Sequence, residues 1–447
     1  MTFYQHFVDV VIFCVKDAPK ETSYDSTRNR KPPPMSQHVV VIGAGIVGVS
    51  AAIWLRRAGA AVTLVDRAEP GRGTSHGNGG VLAAAGVAPV TGPGLLRKSP
   101  GMLRDPEFPL FLRWPYLPRL LPWLRRYMAH ANDRDTRRIS AGLVPIVSDS
   151  VAQHKALCAD LGLEDWVRDS DYCFAYTNRA AFEAEAYTWA LRREAGFEPE
   201  IIEGGAVREF DPAYGPQITC IARLADHGFI ADPGGYVRAL AKAFEGMGGT
   251  IRQAGVQDVA ITDEEVTSVL TDQGSLPCDD VLLATGVWSK PLMRKLGINV
   301  PLESERGYHI VFKDAEGGPS RPTMMAAGKF VATPMAEGLR CAGIVEFGGL
   351  EAGASKAPLA LLRRQAKAAF PHLTAKEEIE WLGHRPAPSD SLPLIGQIGT
   401  SRVYTAFGHH HIGLTGGPKT GRLIAGLITG QTPNTDLTPY HPQRFDG

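Results

Sequence analysis

Arg385 stands directly before a proline and a polar turn, with an apolar stretch at residues 392–395 beyond it. A guanidinium is a planar fork that binds a carboxylate through two parallel hydrogen bonds, and it stays charged at any relevant pH. Arg385 is therefore a candidate anion clamp, with a salt bridge between two parts of the fold as the plainer alternative. Tyr308, in the ERGYHI stretch of residues 305–310, offers a phenol that can donate to the same carboxylate and a ring that can cover a pocket. A core tyrosine is the alternative there, and His309 is expected on the opposite strand face. From Gly408 the chain reads GHHHIGLTGGPKTG before an apolar helix. A glycine loop entering a helix offers free N–H groups and a positive dipole end, so the backbone at Gly413, Leu414 and Thr415 is a candidate contact for a group that gains negative charge. No metal is expected at His409, His410 and His411, because consecutive side chains diverge and no Asp or Glu stands nearby in sequence.

A second constellation lies near the other end. Residues 39–67 run from an apolar β-branched strand into a turn with Gly43, Gly45 and Gly48, then an alanine-rich helix, a second apolar strand and a terminal acid, Asp66. Gly43 permits the tight turn, Gly45 lets the backbone approach a pyrophosphate, and Gly48 lets the helix lie close to the strand. The helix start at Ile46 supplies N–H groups, and Asp66, followed by Arg67, would accept hydrogen bonds from a ribose. Strand, glycine turn, helix, strand and acid in that order predict a dinucleotide site, without deciding between FAD and a nicotinamide. Residues 71–80 follow, dense in glycine and small polar groups. Thr74, Ser75, Asn78, Gly79 and Gly80 can wrap a flat ring and a diphosphate, because nothing bulky holds their backbone away.

These groups need a scaffold, and 447 residues with 44% apolar and 21% charged composition suffice for two domains of ordinary globular type. Lys+Arg and Asp+Glu are both 47, which disfavours a nucleic-acid partner. Six cysteines without a CxxC pair read as reduced thiols of a cytoplasmic protein. Residues 1–34 differ from the rest: residues 7–15 form a short apolar run, and a polar, proline-ended stretch reads as disorder. Met35 is the expected initiator, which makes the residues before it a disordered or spurious extension, with the domain boundary drawn at 1–35. Residues 111–128 mix leucines at helical spacing with Arg119, Arg125 and Arg126 around Pro122. That pattern predicts a domain-capping helix, with peripheral contact to an inner membrane surface as the second reading.

Further along, strands are expected at 166–176, 215–223, 250–257, 266–270 and 280–284, and helices at 180–194 and from Asp232, the N-cap, to 244. The Gly-Val step before Val256 and the Ala-Thr-Gly end at Thr285 and Gly286 return the chain to βαβ order. At this point the glycine turn, GTSHGNGG, DPGGYVRAL, the ATG end, ERGYHI, GHRPAPSDSLPLIG and GHHHIGLTGGPKTGRLIAGLI together resemble the FAD-dependent D-amino-acid oxidase and dehydrogenase superfamily. The likeness is greatest to bacterial D-amino-acid dehydrogenase small subunits, and it covers residues 36–447.

The resemblance implies an α/β fold: a discontinuous Rossmann-like FAD domain of the glutathione-reductase type (36–90, 232–296, 382–447) and an α+β substrate domain on a mixed or antiparallel sheet (91–231, 297–381). It implies noncovalent FAD, since no cysteine follows Cys341. Val256, Thr285 and Gly286 would complete the cofactor site, and Arg385 with Tyr308 would hold the α-carboxylate of an amino acid. The implied reaction is oxidative deamination of a D-amino acid or cyclic imino acid by hydride transfer from the α-carbon to flavin N5. A glycine/sarcosine-type amine oxidase and a noncatalytic FAD-binding scaffold subunit are the alternatives. The electron acceptor would be a quinone, a partner protein or oxygen.

Overall fold

A computed structural model describes residues 37–446, apart from a few side chains within residues 95–104. The expectations for residues 1–35 therefore lie outside the described residues. Strand β1 (His38–Ile42) and strand β2 (Ala61–Asp66) are parallel neighbours joined by helix α1 (Ile46–Arg57). Both faces of β1 are covered, so it is apolar throughout: Val39 and Val41 enter the cluster beneath the helices, Val40 and Ile42 the cluster on the other side. The chain then crosses to a second sheet through the short β3 (Val81–Leu82). Helix α2 (Leu117–Ala129) carries Pro118 in its first turn and Pro122 inside it.

Next come β4 (Arg168–Tyr176) and β5 (Cys220–Phe229), an antiparallel pair. The stretch expected as one helix at 180–194 is two, Arg179–Glu183 and Ala186–Glu194. Helix α3 (Pro233–Gly246) begins as expected, with Asp232 accepting from the Gly235 amide at 2.8 Å. It leads to β6 (Thr250–Gln253), where the expected strand ends early; Val256 starts the next strand, part of a three-stranded antiparallel sheet. Strand β7 (Asp280–Leu283) returns beside β1. A long antiparallel stretch follows: β8 (Leu302–Lys313), β9 (Thr323–Met325), β10 (Phe330–Met335) and β11 (Gly338–Phe347), backed by helix α4 (Lys356–Ala369) and closed by β12 (Glu377–Pro388). The chain ends in β13 (Leu394–Gln397), β14 (Val403–Phe407) and helix α5 (Gly413–Ile428).

The first sheet has six strands in the order β13-β14-β7-β1-β2-β6, parallel except for the β13/β14 pair. The second has ten, along β12-β8-β11-β10-β9-β4-β5-β3 with two short strands off that path, and is mostly antiparallel. This is the α/β architecture expected. Sheet membership moves two of the boundaries read from sequence: β3 belongs to the second sheet, and so does all of β12, so the return to the first sheet comes at residue 394 rather than 382. Among the described residues no helix is long and apolar enough to cross a membrane.

Candidate functional site

The glycine turn between β1 and α1 is fixed by contacts that no side chain would survive. Gly43 has φ +109°, and a Cβ there would lie 2.5 Å from the Ala284 carbonyl oxygen; a Cβ on Gly48 would lie 1.9 Å from the Gly43 carbonyl oxygen. Asp66 braces the same turn, one carboxylate oxygen accepting from the Ala44 amide at 2.8 Å and the other from the Ala68 amide at 3.0 Å. Beside the turn is a cavity of about 520 Å³. Gly43, Gly45, Ile46, Asp66, Arg67, Thr74, Ser75, Asn78, Val256, Thr285, Gly286, Gly413 and Leu414 all line it, so these expected contacts come from five separate parts of the chain to one space. Gly48, Gly79, Gly80 and Thr415 stand behind the wall and shape it. The Gly79 carbonyl accepts from the Thr333 hydroxyl, Gly80 turns at φ +79°, and the Thr415 hydroxyl donates to the Val81 carbonyl at 3.3 Å. At one end Arg67 stacks on the Trp288 ring, 4.5 Å from its centre.

Loop 73–80 is held from one side. Its carbonyls accept from the second sheet: those of His76 and Asn78 from Arg340 at 3.1 and 2.7 Å, that of Gly77 from His309 at 3.1 Å and that of Gly79 from Thr333 at 2.7 Å. With the carbonyls anchored there, the amides of Gly77 and Gly79 have no acceptor among the described residues. Burial lowers the Arg340 guanidinium to about 10, with Asp232 and Glu337 opposing, and it remains a cation at neutral pH. At the other end of the cavity, the first amides of α5, on Gly413, Leu414 and Thr415, are likewise without acceptors among the described residues, while Gly416 begins the helical bonding to Ile412. His154 fixes this helix start: fully buried, it donates from Nε2 to the Leu414 carbonyl at 2.9 Å and accepts from the Tyr236 hydroxyl at Nδ1. Burial drops its pKa to about 4, so it is neutral.

The remaining glycines of the 408–421 stretch serve packing. A Cβ on Gly421 would be 2.7 Å from the Ala51 nitrogen, and one on Gly417 would be 3.1 Å from Ile46, so α5 crosses α1 at close range. Of the three histidines, His409 bonds Thr420 at 2.9 Å and His410 bonds Glu305, while the exposed His411 stays beside His410, with 3.3 Å between their Nδ1 atoms and ring centres 4.8 Å apart.

Arg385 comes from β12, opposite Glu305 of β8 in the register. Its guanidinium lies flat across Gly307, where a Cβ would be 2.5 Å from Cζ. Nη1 donates to Glu305 at 3.1 Å, while Nη2 has only a 3.5 Å approach to the Gly343 carbonyl. Helix α2 packs on this part of β12. Trp123 donates from Nε1 to the Ala387 carbonyl at 2.9 Å, stacks on Tyr127 with ring centres 4.6 Å apart, and meets Phe347 at 5.4 Å. The helix read as a cap covers Arg385 with Leu120, Trp123 and Tyr127, and Leu124 and Met128 of the leucine spacing pack alongside them.

Tyr308 is corrected by the register. Alternation along β8 puts Glu305, Gly307 and His309 on the face shared with Arg385, and Arg306 and Tyr308 on the other. The Tyr308 phenol donates to Glu346 at 2.7 Å and accepts from the Ser355 amide, beside the fully buried Arg306 that pairs with Glu346 at 3.0 Å. It belongs to the core under α4 and does not reach Arg385. His309, set aside on sequence grounds, faces loop 73–80 and stacks on Trp381 with ring centres 5.0 Å apart. Glu305, Gly307 and Arg340 carry no mark of this role in the sequence beyond the spacing of two that joins Glu305, Gly307 and His309, and His410 is weighed there only as a metal ligand.

The donor set fits a long dinucleotide: a glycine turn with its acid, the polar loop residues Thr74, Ser75 and Asn78, and a helix N-terminus around one cavity. Comparison with known proteins agrees. Residues 38–427 match the family described as FAD dependent oxidoreductase. The D-amino-acid oxidase of Bradyrhizobium diazoefficiens is 36% identical over 92% of this chain and all of its own length. The D-amino acid dehydrogenase of Methylobacterium nodulans is 29% identical, covering 88% of this chain and 96% of its own. Among solved structures, glycine oxidase from Bacillus cereus shares the fold with a TM-score of 0.71 at 19% identity, over 92% of this chain and 99% of that one. L-Proline dehydrogenase from P. horikoshii does so at 0.70 and 20%, over 92% and 98%. With its glycine turn, its anchored loop and its open helix start assembled around one cavity, the chain belongs to the FAD-dependent oxidoreductase family.

Proposed function

We propose that the protein oxidises the C–N bond of a D-amino acid or cyclic imino acid whose α-carboxylate is held by Arg385. The observation that carries this reading is the Arg385 guanidinium, laid across Gly307 with Nη2 lacking a close acceptor, next to Pro386, which lines the cofactor cavity. FAD, when bound, supplies the two-electron acceptor for the hydride leaving the α-carbon. The residues lining the cavity would hold it without a covalent link. The Gly413, Leu414 and Thr415 amides would face the end that becomes negative on reduction, where oriented dipoles favour electron acceptance. Arg385 would fix the carboxylate and so orient the α-hydrogen, and α2 would keep water from this part of β12. No acid–base pair has to act at carbon, since positioning supplies most of what the step needs. The released imine hydrolyses to a 2-oxo acid and ammonia, or persists as a ring for a proline-like substrate.

The choice of D-amino acids over glycine or sarcosine is supported by the name of the relative at 36% identity. An anaerobic bleaching screen of the yellow holoprotein against D- and L-amino acids and N-methyl amines tests it. Bleaching by D-amino or cyclic imino acids is expected; bleaching by none of the compounds would favour a noncatalytic scaffold. Peroxide formation in air then separates an oxidase from a dehydrogenase. The outer side of α2 leaves Leu121 and the preceding Trp114 exposed near Arg119, Arg125 and Arg126, which supports peripheral membrane contact for delivery of electrons to a quinone. Cosedimentation with anionic vesicles tests that part, and no binding at low salt overturns it.

A further inference from the structure

Glu305 lies beside Arg385 and has no part in the reading above. One oxygen accepts from Arg385 Nη1 at 3.1 Å and the other from His410 Nε2. The residue is 8% exposed. The ionisable groups that face it are Arg385 from β12, His410 and His411 from the loop before α5, and Tyr127 from α2. Burial by itself would raise its carboxyl, but His410 and Arg385 outweigh burial and hold it well below the usual carboxylate range. It is held as an anion, set against the charge of the clamp beside it.

A ligand with a carboxylate alone meets an anion beside the cation, which lowers what it gains there. A ligand with a carboxylate and an amine on one carbon meets the cation with its carboxylate and the anion with its N–H groups. We propose that Glu305 receives the α-amino group of the substrate while Arg385 holds its α-carboxylate, so that the pair admits amino acids and turns away carboxylates that lack an amine. An N–H donated to Glu305 also fixes rotation of the amine about its C–N bond. This inference rests on Arg385 being the clamp.

The test uses the FAD-loaded wild type, Glu305→Gln and Arg385→Leu. Benzoate binding is read from the perturbed flavin spectrum, and KM is read for the amino acid that bleaches fastest. In Glu305→Gln, benzoate should bind at least tenfold more tightly and the amino-acid KM should rise at least tenfold; Arg385→Leu should lose both ligands. The inference is overturned by benzoate affinity in Glu305→Gln that is unchanged or weaker, or by an unchanged amino-acid KM, while Arg385→Leu still loses binding. Benzoate binding of wild-type strength in Arg385→Leu would instead remove the clamp itself. Should Glu305→Gln not retain FAD, competition on the wild type decides. The amino acid should bind at least tenfold more tightly than its 2-hydroxy and unsubstituted analogues, and equal binding overturns the inference.

Discussion

Gly307→Ala isolates the placement of Arg385 from its chemistry. The new methyl would start 2.5 Å from Arg385 Cζ and 2.6 Å from Nη2. Carbon atoms in contact rest roughly 3.5–4.0 Å apart, so the guanidinium must move by about 1 Å. The neighbour is the far end of a flexible side chain, so the fold loses little. Displacing a substrate-positioning group by about 1 Å costs on the order of a hundredfold. Steady-state kinetics should therefore show kcat/KM reduced about a hundredfold, carried by KM, with FAD content and the melting temperature near wild type. A kcat/KM within threefold of wild type would refute the claim that this guanidinium lies across Gly307 and acts on substrate. A collapse of FAD loading would show that the strand, rather than the clamp, had been disturbed.

Two further expectations concern stability. Burial places the pKa of His154 and His409 near 4 and that of His309 near 3, against about 6.5 in the unfolded chain, so unfolding takes up protons below that value. Their contribution is complete above about pH 6.5 and falls as pH drops toward 4, by up to about 1.4 kcal/mol per unit for each site. Denaturant melts between pH 7 and 5 should show the loss, with a shallower slope in His154→Gln; equal slopes would contradict it. Gly421→Ala puts a methyl 2.7 Å from the Ala51 nitrogen, where the backbones of α5 and α1 meet. Overpacking of this kind costs about 1–3 kcal/mol. The holoprotein should melt several degrees lower, and an unchanged melt would mean the helices do not approach so closely.

What the sequence revealed and what it hid divide along physical lines. The turn at Gly43, Gly45 and Gly48 is local: strand, turn and helix are consecutive, and each glycine answers to backbone sterics within a few residues. The open amides at the start of α5 are local in the same sense. Which face of β8 looks toward Arg385 is different. Leu302 to Phe312 are all buried, so hydrophobic alternation, the usual guide to strand phase, is missing there. Tyr308 and His309 were consequently exchanged. The Glu305–Arg385 pair depends on register between strands 80 residues apart in sequence, and the His410 contact on a third segment. Sequence spacing alone has no access to such pairings. Helix α2 shows the same limit: the leucine spacing marked the helix and found Leu120, Leu124 and Met128 on its packed side, but not the buried Trp123 and Tyr127.

The claim that binds these observations is that Arg385 receives the substrate carboxylate beside the flavin. Anaerobic stopped-flow reduction of Arg385→Leu by the best amino acid tests it most directly. Removing one partner of a buried, charge-assisted pair costs about 2–5 kcal/mol. The half-saturating concentration should therefore rise about a hundredfold or more while the protein remains yellow with a full complement of FAD. Reduction at the wild-type rate and half-saturating concentration would contradict the account.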